Sequence, residues 1–406
     1  MQSRTCSGSR PWLHDREAGC DAEPRALQRG ASNIHFPVIA SALSIPPVSE
    51  ALFQLIEENW TVLEALPPEA LEPVLTNLGE KYGADLAPLL AAFRARKEME
   101  VNHGPLTDAG TRSEEYAALS ASRDDPIIGG IVPLFENHAM APPDTLAPWF
   151  DLVGAVSRLR EVRALAAFSR IEPYPVSAER VHQAIHEGRV AALCKAAPRW
   201  LPAAEILGEG IFLRFRTDRV DRWIEDGSAM RMETTVLEQR SAEIARSRGY
   251  VRDYEITPRL LLVHSFAHAL LRQIALDCGY ASSALRERLY VSEAADGTPP
   301  MNGVLIYTGS PDSEGSLGGL VRLAEPGLLE EIVLQAIQNS RWCGSDPVCL
   351  ETDRGQSGDR ISGAACHCCL LLPETACEKF NRELDRTMLA GDAEGRWAGY
   401  FDGLGN

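Results

Sequence analysis

The sequence predicts a helix-rich α+β fold with a small mixed sheet in its C-terminal domain. Three observations carry this reading. Apolar residues recur at helical spacing over long stretches. Shorter apolar runs, bounded by turn residues, read as strands, the clearest of them late in the chain. The 406 residues exceed one average domain, and turn-rich stretches divide them into about four regions: 1–46, 47–146, 147–257 and 258–406.

Residues 1–46 are rich in Gly, Ser, Pro and Arg and read as loop leading into a short strand, Asn33 to Ile39, closed by Pro46 and Pro47. From Ser49 to Val101 the pattern is helical: Leu52, Leu55 and Ile56, then Leu71, Val74, Leu75 and Leu78, then Leu86, Leu89 and Leu90. Residues 103–146 are polar and broken by Gly and Pro pairs, so loops and a short helix are expected at a junction. Phe150 to Phe168 reads as an amphipathic helix, Gly208 to Phe215 as a strand, and Met230 to Arg248 as a helix with a charged outer face. Leu260 to Ala275 is an apolar helix. Strands are expected at Arg288–Val291 and Gly303–Gly309, and helices from Ser316 and over Leu328–Ile337. A last helix spans Ala376 to Leu389, with Thr375 and Glu378 spaced as a capping box. A thiol at its start, Cys377, would face free N–H groups and acquire a lowered pKa.

Composition narrows the function classes. At 45% hydrophobic and 24% charged, the chain is no disordered or collagen-like polymer. A net charge of −17 excludes a globally basic, histone-like nucleic-acid binder but leaves room for a local basic groove. Between Asp151 and Arg222 twelve Lys and Arg face nine Asp and Glu, the one long stretch with a basic surplus. No segment reaches the roughly 18 apolar residues of a membrane span. The start has no apolar core of a signal peptide, so a cytoplasmic protein is expected.

Six of the ten cysteines fall between Cys343 and Cys377. Cys343 and Cys349 are separated by five residues; sixteen follow to Cys366, and Cys369 lies three positions later. The polar, Gly-rich stretch from Glu351 to Gly363 can loop out, so two thiolate pairs can close a tetrahedral four-sulfur shell around Zn2+. Soft thiolates suit zinc better than an iron–sulfur cluster here. Cys368 and Cys377 are alternative ligands. A four-sulfur shell leaves no open coordination position, so the site is read as structural.

Other motifs are weaker. His264 and His268 stand one helical turn apart, the spacing of a zinc pair, but no Glu follows the first. In apolar surroundings they read as satisfied core histidines. The loop from Asp312 to Gly319 joins a strand to a helix and lacks the Gly-Lys-Ser/Thr end of a phosphate-binding loop. That motif is absent from the whole sequence, so no ATPase motor is encoded in it. The competing enzyme reading is a metal-dependent nuclease built on Asp312, Glu314, His264 and His268.

The stretch from Leu262 to Arg386 resembles the MrfA-like zinc-binding domain that accompanies superfamily 2 DNA helicases. The residues carrying this are His264-Ser-Phe-Ala-His268, Gly279-Tyr-Ala-Ser-Ser283, Leu285-Arg-Glu-Arg288, Ile306 through Gly315, Leu317-Gly-Gly-Leu320, Gly363-Ala-Ala-Cys-His367 and Leu372-Pro-Glu-Thr375 running on to Arg386. Arg10-Pro-Trp-Leu13, Leu27 through Asn33, Phe36-Pro37 and Ser41 through Pro46 are similar to DrmB-like proteins of the DISARM anti-phage system.

The resemblance implies a non-catalytic zinc-binding accessory subunit. It would partner a DrmA-like helicase, which supplies the ATPase, and would meet DNA through that complex. Cys343, Cys349, Cys366 and Cys369 fall on the family's zinc cysteines. Such proteins usually carry a further cysteine pair upstream of the Arg-Pro-Trp-Leu motif, which here begins at residue 10. Cys6 and Cys20 would then be half of a further zinc site, either lost or cut short by a truncated start, and 1–46 its remnant. Candidate DNA contacts are Arg158, Arg160 and Arg163 in the basic stretch, and Lys379, Arg382 and Arg386 in the last helix.

Overall fold

A computed structural model of the chain describes residues 35–45, 49–101, 107–125, 127–128, 130–170, 180–196, 200–247, 252, 254–295, 299–309, 319–351 and 361–405. In chain order it holds β1 (His35–Leu43), α1 (Glu50–Glu58), α2 (Trp60–Glu64), α3 (Pro68–Tyr82), α4 (Leu86–Val101), α5 (Asp108–Leu119), β2 (Glu136–Met140) and β3 (Phe150–Arg170). Then follow α6 (Val181–His186), β4 (Ala191–Ala192), β5 (Ala203–Phe215), α7 (Thr217–Asp226), α8 (Ser228–Ser247) and α9 (Pro258–Cys278). β6 (Leu285–Val291), β7 (Asn302–Thr308), α10 (Leu328–Ser340), α11 (Val348–Glu351) and α12 (Thr387–Ala390) complete it. The class is α+β, as expected. The sheet is not small and C-terminal, however, because its strands come from all along the chain. No helix of the described residues is long and apolar enough to cross a membrane.

The chain forms two units. One comprises Met1–Ala42, Leu106–Asp108 and Glu161–Glu205. In it the second half of β3 pairs with β4, Ala167 opposite Ala192, around a small core of Val38, Ala167, Val181, Ala184 and Val190.

The larger unit comprises Leu43–Pro105, Ala109–Arg160 and Ile206–Asn406. Its first helices close a core of their own from Leu52, Leu55, Ile56, Leu75 and Leu89, positions whose spacing predicts them, together with Phe93. Its strands run in the order β3, β5, β7, β6, with β2 on β3. Alternation divides β5, β6 and β7 between two cores. Ile211, Leu213, Val304, Ile306, Leu285 and Leu289 face the core that contains α9. Phe212, Leu305, Tyr307 and Tyr290 face the opposite core, with Leu119 of α5.

α9 begins at Pro258, capped by the Thr257 hydroxyl, which accepts the Leu260 N–H at 3.2 Å. It ends at Gly279, whose φ of 75° stops the helix. Apolar residues occupy every side of it, the pattern of a helix sunk in a core. The chain end packs on it through Tyr400, Phe401 and Leu404. Tyr400 and Trp149 are tied reciprocally: the Tyr400 hydroxyl donates to the Trp149 carbonyl at 2.7 Å, and the Trp149 indole donates to the Tyr400 carbonyl at 3.1 Å.

Two expected helices are corrected. Phe150 to Phe168 is strand β3. Across its pairing with β2, Glu136 opposes Arg158 while Asn137 opposes Val156, so Ser157 is an extra residue in a β-bulge. The bulge shifts the alternation by one, and Leu152, Val156 and Leu159 reach the same core. Their spacing of four and three imitates a helix. From Ala376 to Leu389 only Thr387–Ala390 is helical. Phe380, Asn381 and Glu383 take φ of 54°, 59° and 61°, incompatible with a right-handed helix. The Asn381 side chain fixes this turn by bonding both the N–H and the carbonyl of Leu372, at 2.9 and 2.7 Å. The expected helix start at Ser316 lies outside the described residues.

Candidate metal centre

Two tight turns bring four sulfurs together. The first runs from Cys343 to Cys349 after α10. Its backbone folds through Asp346 N–H to the Cys343 carbonyl, at 2.9 Å, and Cys349 N–H to the Ser345 carbonyl, at 3.0 Å. In the second, the Cys366 carbonyl accepts from Cys369, Leu370 and Leu371 at 3.0–3.1 Å. The four Sγ atoms lie within 4.8 Å of one another. Cys343–Cys366, Cys349–Cys369 and Cys366–Cys369 are 3.4, 3.7 and 3.8 Å apart. A tetrahedral four-sulfur shell with bonds near 2.3 Å places sulfurs roughly 3.8 Å apart, so these residues fit zinc.

Two of the sulfurs receive backbone N–H groups. The Cys366 N–H donates to Cys369 Sγ at 3.1 Å, and the Ser345 N–H to Cys343 Sγ at 3.4 Å. Among the thiols themselves, Cys349 donating to Cys369 pulls the Cys369 thiol down to about 5. Burial pushes Cys343 up to about 11.

Charged residues hold both turns. Asp346 accepts the Cys343 N–H at 2.7 Å, and its carboxylate is gripped at 2.6 and 2.7 Å by Arg386. Although burial disfavours its charge, Asp346 and then Cys349 keep the Arg386 guanidinium protonated. From α9, Arg272 donates to the carbonyls of Cys368 and Leu371, both at 3.2 Å.

The alternative cysteines stand apart from this group. Cys368 is exposed and accepts from the Ser345 hydroxyl at 3.3 Å. Cys377 is buried elsewhere, with His264, His268 and Glu287. It starts no helix, so the expected lowering of its thiol pKa is corrected: burial and then the Glu287 carboxylate push it well up. Glu287 is the residue that sequence reasoning missed. The signal was present in Leu285, Glu287 and Leu289, an acid on the apolar side of a strand. His264 and His268 are core residues, both 0% exposed, but the expectation that both are satisfied is corrected: among the described residues His268 Nε2 has no hydrogen-bond partner. That burial bars them from substrate and removes two of the four residues on which the nuclease reading rests. Asp312 and Glu314 lie outside the described residues, as do Cys6 and Cys20.

The DNA candidates are dispersed. Arg158 sits on β3, 3.5 Å from Glu136. Arg160 donates to the Ser44 hydroxyl at 2.6 Å. Arg163, on the β3 segment of the smaller unit, is 3.9 Å from Glu161. Lys379 caps the Tyr254 ring at 3.2 Å from its centroid, and Arg382 is half-buried beside it in sequence. Arg386 is 2% exposed and spends its guanidinium on Asp346.

Residues 266–370 match the family profile of the MrfA Zn-binding domain. That span contains all four clustered cysteines. Over 430 residues the chain is 30% identical to the DISARM protein DrmB of Bacillus paralicheniformis, an alignment that covers 100% of this chain and 71% of that relative.

Proposed function

The chain belongs to the DrmB family of DISARM proteins, and from that premise we propose that it is a zinc-stabilised accessory subunit of a DNA-engaging helicase complex. The observation that carries this is the closed four-sulfur group. The sulfurs of Cys343, Cys349, Cys366 and Cys369 lie within 4.8 Å of one another and would fill a tetrahedral shell by themselves, so zinc there would contribute folding free energy and offer no position to a substrate. The ion would fix the two turns that follow α10, one at Cys343–Cys349 and one at Cys366–Cys369.

The catalytic work falls to a partner. The sequence holds no Gly-x-x-x-x-Gly-Lys-Ser/Thr run to cradle a triphosphate, so a DrmA-like helicase is the natural source of ATP turnover. DNA would be met through that complex, with Arg158, Arg160, Arg163, Lys379 and Arg382 as the contacts nearest to phosphate. Arg386 serves the metal loop instead.

ATP turnover tests the division of labour. The purified chain should hydrolyse no ATP, and addition of a DrmA-like helicase should yield DNA-dependent hydrolysis. Turnover that survives repurification of the chain and disappears on a point substitution within it would overturn the accessory reading.

A further inference from the structure

A second set of metal-ligand side chains lies between α9, β6 and the turn around Cys377. His264 and His268 occupy successive turns of α9, with ring centroids 4.7 Å apart. Glu287 reaches them from β6. One donor atom from each of His264, His268, Glu287 and Cys377 lies within 4.8 Å of the others. All four are buried, Glu287 at 1% and Cys377 at 5% exposure.

Hydrogen bonds fix the imidazole tautomers. A carbonyl oxygen only accepts, so the Nδ1 atoms of His264 and His268, 3.1 Å from the Glu383 carbonyl and 2.9 Å from the Leu370 carbonyl, both carry hydrogen. In neutral rings both Nε2 atoms then present lone pairs. They point at Glu287, at 3.2 and 3.6 Å. The carboxylate also only accepts. His264 Nε2 is 3.3 Å from Cys377 Sγ, and that sulfur already accepts the N–H groups of Lys379 and Asn381 at 3.3 and 3.2 Å. Among the described residues, His268 Nε2 and Glu287 Oε2 have no hydrogen-bond partner. A Cys377 thiol has one proton to give, to His264 Nε2 at 3.3 Å, which still leaves His268 Nε2 and Glu287 Oε2 facing each other as acceptors in a dry core, where unpaired polar atoms are costly.

We propose that this group is a second zinc site, with Nε2 of His264, Nε2 of His268, a Glu287 carboxylate oxygen and Cys377 Sγ as its ligands. Tetrahedral zinc with bonds of roughly 2.0–2.3 Å separates its ligand atoms by roughly 3.3–3.8 Å, close to the 3.2, 3.3 and 3.6 Å of the three contacts above. Two imidazoles, one thiolate and one carboxylate form a borderline-soft set suited to zinc. One thiolate and one carboxylate also cancel its double charge, so the filled site is neutral, as a buried position demands. Carbonyls that accept from the opposite ring nitrogens are the usual support of metal-bound histidines. Four protein ligands leave no open position. The site ties α9, β6 and the C-terminal turn together, while the four-cysteine group ties the two loops. His264 and Cys377 both fall outside the residues that match the MrfA Zn-binding profile.

Elemental analysis and zinc X-ray absorption on the untagged full-length protein test this. The expected result is about two zinc ions per chain with an averaged shell of about 2.5 sulfurs and 1.5 nitrogen or oxygen ligands, including imidazole scattering. About one zinc with a sulfur-only shell would overturn the proposal, leaving a protonated imidazole–glutamate cluster in its place. About two zinc ions with sulfur only would overturn it as well and direct attention to Cys6 and Cys20. A single zinc with the imidazole signature would support this site and contradict the four-cysteine one. Cys377→Ala and His268→Ala should each lose about one zinc and the imidazole signal while the four-sulfur shell persists. Should these variants not fold, the spectrum of the unaltered protein decides.

Discussion

Asp346 and Arg386 connect the four-cysteine loop to the protein core. Asp346 holds the Cys343 N–H, and Arg386 holds Asp346 while donating to the Ser340 carbonyl at 3.1 Å. Groups that orient a metal ligand in this way typically contribute 10–100-fold to metal affinity. Arg386→Leu should therefore release zinc to a competing chelator roughly 10–100-fold more readily, followed with a colorimetric zinc indicator; unchanged release would show that the arginine does not brace the loop. A second buried charge works at the opposite face of the sheet. Arg288 donates to both oxygens of Glu115 at 2.7 Å, and that carboxylate also accepts from Tyr290 and from the Leu43 N–H. Glu115→Leu removes the carboxylate that takes both of these bonds and leaves the buried guanidinium to Glu378, 3.8 Å away; it should cost about 3 kcal/mol, read as a lower denaturation midpoint at unchanged slope.

Elements differ in how openly the sequence declares them. β7, β5 from Gly208 onward and most of α9 were legible because nearly every residue there is buried and Gly, Pro and Thr mark their ends. β3 was not. It is buried on two faces and bulged at Ser157, so Leu152, Val156 and Leu159 carry a helical interval on an extended chain. The stretch after Thr375 misled for another reason: a capping pattern describes only local hydrogen bonds, whereas Asn381 bonds to Leu372, and Cys377 is drawn to α9 and β6. Spacing singled out the four cysteines that the structure groups, with Cys368 and Cys377 left open beside them. Their neighbour cluster was not legible, because Glu287 and Cys377 meet the histidines only when strand and turn pack on α9. Tight packing makes β3 testable. A Cβ on Gly154 would stand 2.9 Å from the Asn137 side chain, 3.2 Å from Phe212 Cβ and 3.3 Å from the Leu119 carbonyl. Gly154→Val should destabilise the larger unit by about 1–3 kcal/mol through overpacking, measurable as a shift in chemical denaturation.

At the scale of the whole molecule, metal and fold are one equilibrium. Structural zinc supplies on the order of 10 kcal/mol in small zinc peptides, comparable to the whole stability of an ordinary domain. Cys343→Ser or Cys366→Ser should therefore expose the C-terminal region to limited proteolysis, and a soluble, protease-resistant Cys343→Ser protein lacking zinc would contradict a structural role. The overall charge of −17 sets the other expectation. Affinity for duplex DNA comes chiefly from phosphate neutralisation and counterion release, so this chain alone should bind weakly.

A salt titration of DNA binding by the chain, by a DrmA-like helicase and by the two together tests the proposed accessory role most directly. The account predicts tight binding only for the pair, with log affinity falling more steeply against log salt than for the chain alone, because the complex neutralises more phosphates. Binding by the isolated chain as tight as that of the pair, with an equal slope, would contradict it and make this chain a DNA reader in its own right.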